Sequence, residues 1–408
     1  MRVLLLLPQL PYPPQKGGAI RAWHFLRWLA QKHEVSLLTF AGPDGVPPEV
    51  AQLCAQVRTV PPPIRTTKDR LRDLLTSPLP DLALRLRSPA YEKALADWLG
   101  RERFDVLQAE SLEMSLAWLR TRALLPLGRR PWAVLDELNA EYQLQWRAFR
   151  TDLAAPRRWP LAGYSLVQTA RLRTYEASVC RVFERVVVVS NEDAAALRAL
   201  QPNLAPVVLS NGVDCEYFAL DARTANRPPW IVFTGTMDFR PNVDAAVWFA
   251  RSILPLVRRA VPDAVFVIVG ANPSPVVQRL AGTAGVLVTG RVPDVRPYLA
   301  TGAVYAVPMR IGGGVRLKVL EAMAAGLPVV STGLGCSGTD AEPGRHYLRA
   351  DAPDRFAELV IEVLKGRRDC RPMVAEARRL MEERYDWRRL CPALEDAYPM
   401  DRTAARAR

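Results

Sequence analysis

Short apolar runs alternate along this chain with segments of helical periodicity, and the alternation starts over halfway through. That pattern restricts the fold more than any other feature. Val3–Leu7 is a continuous apolar run, as in a parallel strand buried on both faces. A Pro/Gly loop follows from Pro8 to Gly18, and Ala19–Gln31 then places Ile20, Trp23, Leu26, Leu29 and Ala30 at helical spacing. Glu34–Phe40 reads as the next strand, with Asp105–Gln108, Ala133–Asp136 and Arg185–Ser190 beyond it. After the turn signal Asn211-Gly212-Val213-Asp214 come Trp230–Thr234, Val265–Val269, Gly285–Val288, Val304–Val307 and Pro328–Ser331. Helical segments separate most of these, notably Val243–Arg259 and Leu317–Ala325. Strand, helix, strand in series, met twice, predicts an α/β protein of two Rossmann-like doubly wound domains, with no tandem short repeat. The expected boundaries are 1–205, 206–385, a helix over 386–398 and a disordered tail over 399–408.

Composition agrees with this reading and excludes others. A chain of 408 residues, 49% hydrophobic and 24% charged, fits two or three ordinary globular domains. No run approaches the ~18 apolar residues of a membrane span, and Pro8 cuts the opening run short of a secretory core segment of about 7–15 residues. Cys54, Cys180, Cys215, Cys336, Cys370 and Cys391 are scattered with no C-x-x-C pair, which predicts buried free thiols in a reducing, cytoplasmic setting. His24, His33 and His346 are dispersed, and no Asp-x-Asp occurs, so no metal site is expected. The net charge of +13 would attract nucleic acid, an anionic membrane or a phosphorylated substrate. No nucleic-acid module is recognisable, and no nucleic-acid partner is expected.

Ligands of open α/β sheets bind beyond the carboxyl ends of the strands, so loops there carry the candidates. Pro13-Pro14-Gln15-Lys16-Gly17-Gly18 joins the first strand to the first helix. Gly17 and Gly18 let the backbone approach a ligand, and the helix start offers unpaired N–H groups to a phosphate or hydroxyl. A plain tight turn is the alternative. The most informative stretch runs from Pro308 to Thr332. Gly312, Gly313 and Gly314 end a strand and open a helix whose first turn holds Arg316 and Lys318. Cations there oppose the helix dipole, so a bound anion such as a diphosphate would compensate them. Glu321, about one turn beyond Lys318, could accept hydrogen bonds from a ribose diol. The alternative is a glycine-rich turn with solvated charges.

The segment Gly312–Thr332, with its Gly-Gly-Gly-x-Arg-x-Lys-x-x-Glu-Ala-Met-Ala-x-Gly-x-Pro-Val-Val order, resembles the donor-binding signature of family-4 glycosyltransferases of the GT-B fold. The likeness covers nearly the whole chain. Gly17-Gly18 before a helix, Val186–Ser190, Asn211–Asp214, the loop Gly235–Asn242 and Val288–Val295 all follow the family's pattern, and the version here is most similar to bacterial exopolysaccharide sugar transferases. The resemblance implies two domains facing a central cleft, with the helix 386–398 crossing back to the first. It implies transfer of a sugar from a nucleotide-sugar, without metal or other cofactor and with retention of anomeric configuration. Arg316 and Lys318 would act on the donor diphosphate and Glu321 on the ribose. Gly235 and Arg240, Arg291 and Val292, and Gly312, Gly313 and Gly314 would line the donor site, with Gly17 and Gly18 facing diphosphate and acceptor. Several positions depart from the pattern. Gly313 stands where the first of two spaced glutamates usually lies, and Leu138 replaces a histidine. Thr236 and Asn242 replace an Arg and a Lys, with Arg240 as a substitute charge. Asp136, Glu137 and Glu141 are the polar candidates near Leu138.

Tyr142–Tyr175 holds Arg147, Arg150, Arg157, Arg158, Arg171 and Arg173 against the single acid Asp152, interleaved with Trp146, Phe149, Trp159 and Tyr164. Such a mixture suits an anionic membrane interface or a polyprenyl-diphosphate acceptor. It also suits a solvated helical face with aromatics in the core. The leading expectation is a glycosyltransferase acting on a lipid-linked or glycan acceptor at the inner membrane face. A non-catalytic GT-B protein that binds a nucleotide-sugar or a partner is the alternative.

Overall fold

The computed structural model describes residues 1–14, 17–153, 156–220, 228–312 and 314–399. The described residues form two compact units, one within 1–210 and 390–399, the other within 211–389.

In the first unit seven parallel strands lie in the order β3-β2-β1-β4-β5-β6-β7. They are β1 (Arg2–Leu7), β2 (Glu34–Phe40), β3 (Gln56–Val60), β4 (Val106–Glu110), β5 (Trp132–Glu137), β6 (Arg185–Val188) and β7 (Val207–Val208). Val3–Leu7 is wholly buried because β1 is central and both its faces are covered. The order reverses between β1 and β4, so the switch point lies beyond Leu7 and Glu110.

The second unit repeats the scheme with six parallel strands in the order β10-β9-β8-β11-β12-β13. They are β8 (Trp230–Thr234), β9 (Val265–Val269), β10 (Val286–Gly290), β11 (Val304–Val307), β12 (Val329–Ser331) and β13 (Leu348–Arg349). Its core is aromatic: Phe249 packs on Phe266 with ring centroids 4.2 Å apart, and Phe233 stacks on the same ring. The expected helix over Val243–Arg259 is a helical run from Arg240 to Ala260 with a π turn at Phe249–Ile253. Pro255, which cannot donate to the ladder, follows that turn.

The unit boundaries differ from those read in the sequence. β7 pairs with β6, Val187 opposite Val207, so the chain leaves the first unit after Ser210 rather than residue 205. The carboxy-terminal helix is a short turn, Trp387–Leu390, continued by a 3-10 stretch at Cys391–Ala397 that begins ahead of Pro392. Residues 390–399 belong to the first unit, where Trp132 Nε1 donates to the Ala397 carbonyl at 3.0 Å. The tail expected at 399–408 lies, from residue 400 on, outside the described residues.

Candidate functional site

In the second unit the candidate residues gather at the carboxyl ends of β8 and β11. The helix Leu317–Ala324 starts there, with Arg316 as its extended N-cap residue. Lys318 Nζ donates to Asn242 Oδ1 at 2.6 Å and stands 4.3 Å from the Phe233 ring centroid. Asn242 is oriented in turn by donating from Nδ2 to the Thr236 carbonyl at 2.9 Å. Above this pair lies Gly235, at φ +150°: a Cβ there would stand 2.7 Å from Asn242 Nδ2 and 2.8 Å from Lys318 Nζ. Only glycine leaves the ammonium uncovered. Gly270 closes on the same place from β9, where a Cβ would fall 1.6 Å from the Gly235 carbonyl oxygen.

Burial, with the neighbouring Arg316 charge, pulls the Lys318 ammonium down to about 7. Burial pushes the Glu321 carboxyl up to about 7, against the pull of Lys318. Glu321, partly buried, makes no side-chain hydrogen bond among the described residues. Arg316 is buried, and its Nη1 donates to the Leu334 carbonyl at 2.5 Å and to Ser337 Oγ at 3.2 Å. Its Nη2 is buried without a partner among the described residues. A Cβ at Gly312 would come within 3.2 Å of that Nη2 and 3.9 Å of the Pro241 Cβ. The structure therefore brings Gly235, Gly312, Arg316, Lys318 and Glu321 to one cation-rich corner of the sheet.

The remaining candidates stand around that corner. Gly314, at φ +71°, takes the tight turn before Arg316. Gly313 lies outside the described residues. Arg240 is the exposed first residue of the helix that carries Asn242. Arg291 is exposed just beyond Gly290 at the end of β10, and Val292 packs partly into the core. Sequence reading missed Phe233 as the floor under Lys318, and took Asn242 as a lost charge rather than the partner of Lys318. The spacing from Gly235 to Asn242, one turn into the next helix, was the available signal.

In the first unit Gly17 and Gly18 begin the helix Gly17–Leu29, and a Cβ on Gly18 would meet Leu138 Cδ1 at 3.4 Å. The three polar candidates near Leu138 separate clearly. Asp136 is consumed by a buried two-point ion pair with Arg21, both bonds 2.7 Å. Glu137 is fully buried, and burial together with the Glu176 charge holds its carboxyl well above the usual range. Glu141 is half-buried, pushed up to about 7 by burial and the Glu113 carboxylate. Nearby, Ser111 takes φ +75° at the end of β4, and its buried Oγ has no partner among the described residues.

Among the described residues no group of three or more His, Cys, Asp or Glu could hold a metal ion, and no helix is long and apolar enough to cross a membrane.

Residues 16–217 match the family model described as glycosyltransferase family 4, and residues 228–366 match that described as glycosyl transferases group 1. A GDP-mannose-dependent alpha-(1-6)-phosphatidylinositol monomannoside mannosyltransferase of Mycobacterium tuberculosis is 30% identical over 227 residues, 50% of this chain and 56% of the relative. An uncharacterized 44.6 kDa protein in the cps region of Klebsiella pneumoniae is 26% identical over 164 residues, 38% of this chain and 42% of the relative. The chain thus spans about half the length of the curated relatives it matches. Among solved structures, sucrose-phosphate synthase from Thermosynechococcus elongatus superposes with a TM-score of 0.71 at 15% identity, covering 97% of this chain and 98% of that one.

Proposed function

We propose that this chain, which belongs to the family 4 and group 1 glycosyltransferases of the GT-B fold, transfers a sugar from a nucleotide-sugar donor to a lipid-linked or glycan acceptor in bacterial surface-glycan synthesis. The observation that carries this reading is the corner of the second unit. Lys318 is held by Asn242 under a glycine, Arg316 keeps a buried N–H group with no partner among the described residues, and Glu321 follows at the next turn. A diphosphate supplies what Arg316 and Lys318 lack, and a ribose diol supplies donors for Glu321.

The chemistry follows from that placement. When the bond between anomeric carbon and diphosphate oxygen breaks, negative charge grows on the leaving phosphate. Preorganised cations and backbone N–H groups stabilise it most where water is excluded. In this reading Lys318 and Arg316 do so, and no metal or other cofactor is invoked. Retention of configuration is the outcome this reading carries for the sugar.

The acceptor side is supported by the relatives' character: one acts on a phosphatidylinositol mannoside, and one is encoded in a cps region. A membrane-surface location is supported by the first unit. The hairpin of helices Glu141–Leu153 and Trp159–Cys180 leaves Trp146 and Trp159 exposed at 43% and 60%, with Leu144, Leu153 and Leu161 beside them. The helix Thr67–Thr76 buries no residue at all, and exposes Leu71 and Leu75. Exposed indoles among arginines suit an anionic headgroup layer. The six cysteines are free thiols, the state a reducing cytoplasm maintains.

Calorimetry with nucleoside diphosphates, then transfer from the nucleotide-sugar that binds, tests the reading. Micromolar binding that Lys318→Met weakens measurably, with sugar released or transferred, is expected. Binding without any turnover would instead mark a non-catalytic nucleotide-sugar binder.

A further inference from the structure

A chain of buried hydrogen bonds runs through the first unit and takes in Asp136, the candidate already found paired with Arg21. Arg21, fully buried, lies one turn past the Gly17–Gly18 start of its helix. Its Nε and Nη2 donate to the two Asp136 oxygens at 2.7 Å, and its Nη1 donates to the carbonyls of Leu209 at 2.9 Å and Ser210 at 3.1 Å. The guanidinium also stands 4.6 Å from the Phe25 ring centroid. Next to Asp136 lies the buried Glu110, whose carboxyl burial and the Asp136 charge hold well above the usual range. Glu110 accepts from Gln108 Nε2 at 2.5 Å, and Gln108 Oε1 accepts from Tyr398 Oη at 2.7 Å.

The places this chain ties together are specific. Arg21 fixes the start of the first helix. Asp136 is two residues before Leu138, which meets Gly18, and Glu110 immediately precedes the left-handed Ser111. Leu209 and Ser210 are the last residues before the chain leaves this unit, and Tyr398 lies in the segment that returns to it. One buried network therefore grips the switch-point ends of β4 and β5, the glycine start of the helix, the exit and the return.

We propose that Arg21 is a positioning residue for the acceptor half of the reaction: it fixes the Gly17–Gly18 helix start against the end of β5 and anchors both chain crossings to that same point. The inference rests on the glycosyltransferase reading for its functional half only. Arginine is required because a planar fork must meet a carboxylate at two points while a third N–H group reaches backbone carbonyls; lysine offers a single point charge. A buried ion pair is often replaceable by apolar residues of similar volume without loss of stability, so fold and placement can be tested apart.

The test is the double variant Arg21→Met/Asp136→Leu in the full chain, with Arg21→Lys as a second, milder variant should the first not fold. Hydrogen exchange is read at residues 21–25 and 209–210, together with UDP affinity and acceptor kcat/KM. Faster exchange confined to those segments is expected, with nucleoside diphosphate affinity within about twofold of the parent. Acceptor kcat/KM should fall about tenfold or more, the scale on which misplaced groups slow a reaction. A folded variant with parental exchange there, or parental acceptor kcat/KM, overturns the proposal. If the parent itself neither binds a nucleoside diphosphate nor moves a sugar, the functional reading fails instead, and the exchange result alone decides whether Arg21 is the anchor.

Discussion

At Lys318 an ammonium lies over the Phe233 ring and donates to Asn242, two contacts that favour a charge which burial and Arg316 work to remove. The balance leaves it near 7, so in the free protein at pH 8.5 most of the population is neutral. A bound diphosphate favours the charged form, and the terminal phosphate, with a second pKa of about 6, is already fully ionised at that pH. Binding at pH 8.5 should therefore be accompanied by proton uptake, and affinity should weaken as pH rises above 7. Calorimetry in buffers of different ionisation enthalpy reads this directly, and Lys318→Met should abolish the uptake. Glu321→Ala should weaken the same binding by about 1–3 kcal/mol, the scale of a lost charge-assisted hydrogen bond. Unchanged affinity in a folded Glu321→Ala protein removes that residue from the site. Much of this corner was legible in the sequence, because glycines, cations and a carboxylate at one strand-to-helix turn have a shared physical meaning. The Lys318–Asn242 bond was not, since it joins residues 76 positions apart in the chain and depends on how two loops meet. Neither was Arg21, which in the sequence is one more polar residue on an amphipathic helix.

At the scale of single elements, the hairpin of Glu141–Leu153 and Trp159–Cys180 is the segment whose surface is hardest to explain by folding. Asp152 is the one residue of its first helix that is buried, and Arg158 is turned toward that carboxylate at 3.2 Å. Arg147, Arg150, Arg157 and Arg173 are exposed, as are Trp146 and Trp159. Replacing these four arginines with Gln should reduce binding to anionic vesicles by about 1 kcal/mol each at low salt, and by less as salt rises. Nucleoside diphosphate affinity should not move, because the nucleotide corner belongs to the other unit. Co-sedimentation of the quadruple variant equal to the parent would make this a solvated face. The sequence had left open whether these aromatics form core or surface, because arginine-rich helices hide their apolar stripe. The same element scale shows why β3 and β13 escaped sequence reading. Gln56–Val60 is short and carries Arg58, an edge pattern, and Leu348–Arg349 has two residues, too few for any period. The long central strands β1, β2, β8 and β9 were plain, since burial on both faces demands unbroken apolar runs.

For the molecule as a whole, the two units differ in how self-contained their chain ends are. The second unit begins and ends at one place: Val213 bridges Asp386, its N–H donates to the Tyr385 carbonyl at 2.8 Å, and Trp387 donates back to the Val213 carbonyl at 3.2 Å. Cutting on either side of that clasp severs no sheet pairing, and the core around Phe233, Phe249 and Phe266 is drawn entirely from 211–389. The first unit is not closed in this way. Residues 390–399 contribute Cys391, Leu394, Ala397 and Tyr398, all buried, and the hydrogen bonds to Trp132 and Gln108. Burial of large apolar side chains is worth about 1.5–3 kcal/mol each, so 1–210 alone should lose roughly 5 kcal/mol, comparable to a whole domain's stability. A fragment of residues 211–389 is therefore expected to unfold cooperatively in urea, and to bind a nucleoside diphosphate within about tenfold of the full chain. A fragment of 1–210 should be unfolded or molten, and joining residues 390–399 to it through a flexible linker should restore a cooperative transition. Folding of 1–210 with full cooperativity would show that the returning segment is ornamental, and would remove the far end of the Arg21 network from any structural role. Failure of 211–389 to fold would mean that the clasp at Val213 and Asp386 does not close the second unit on its own.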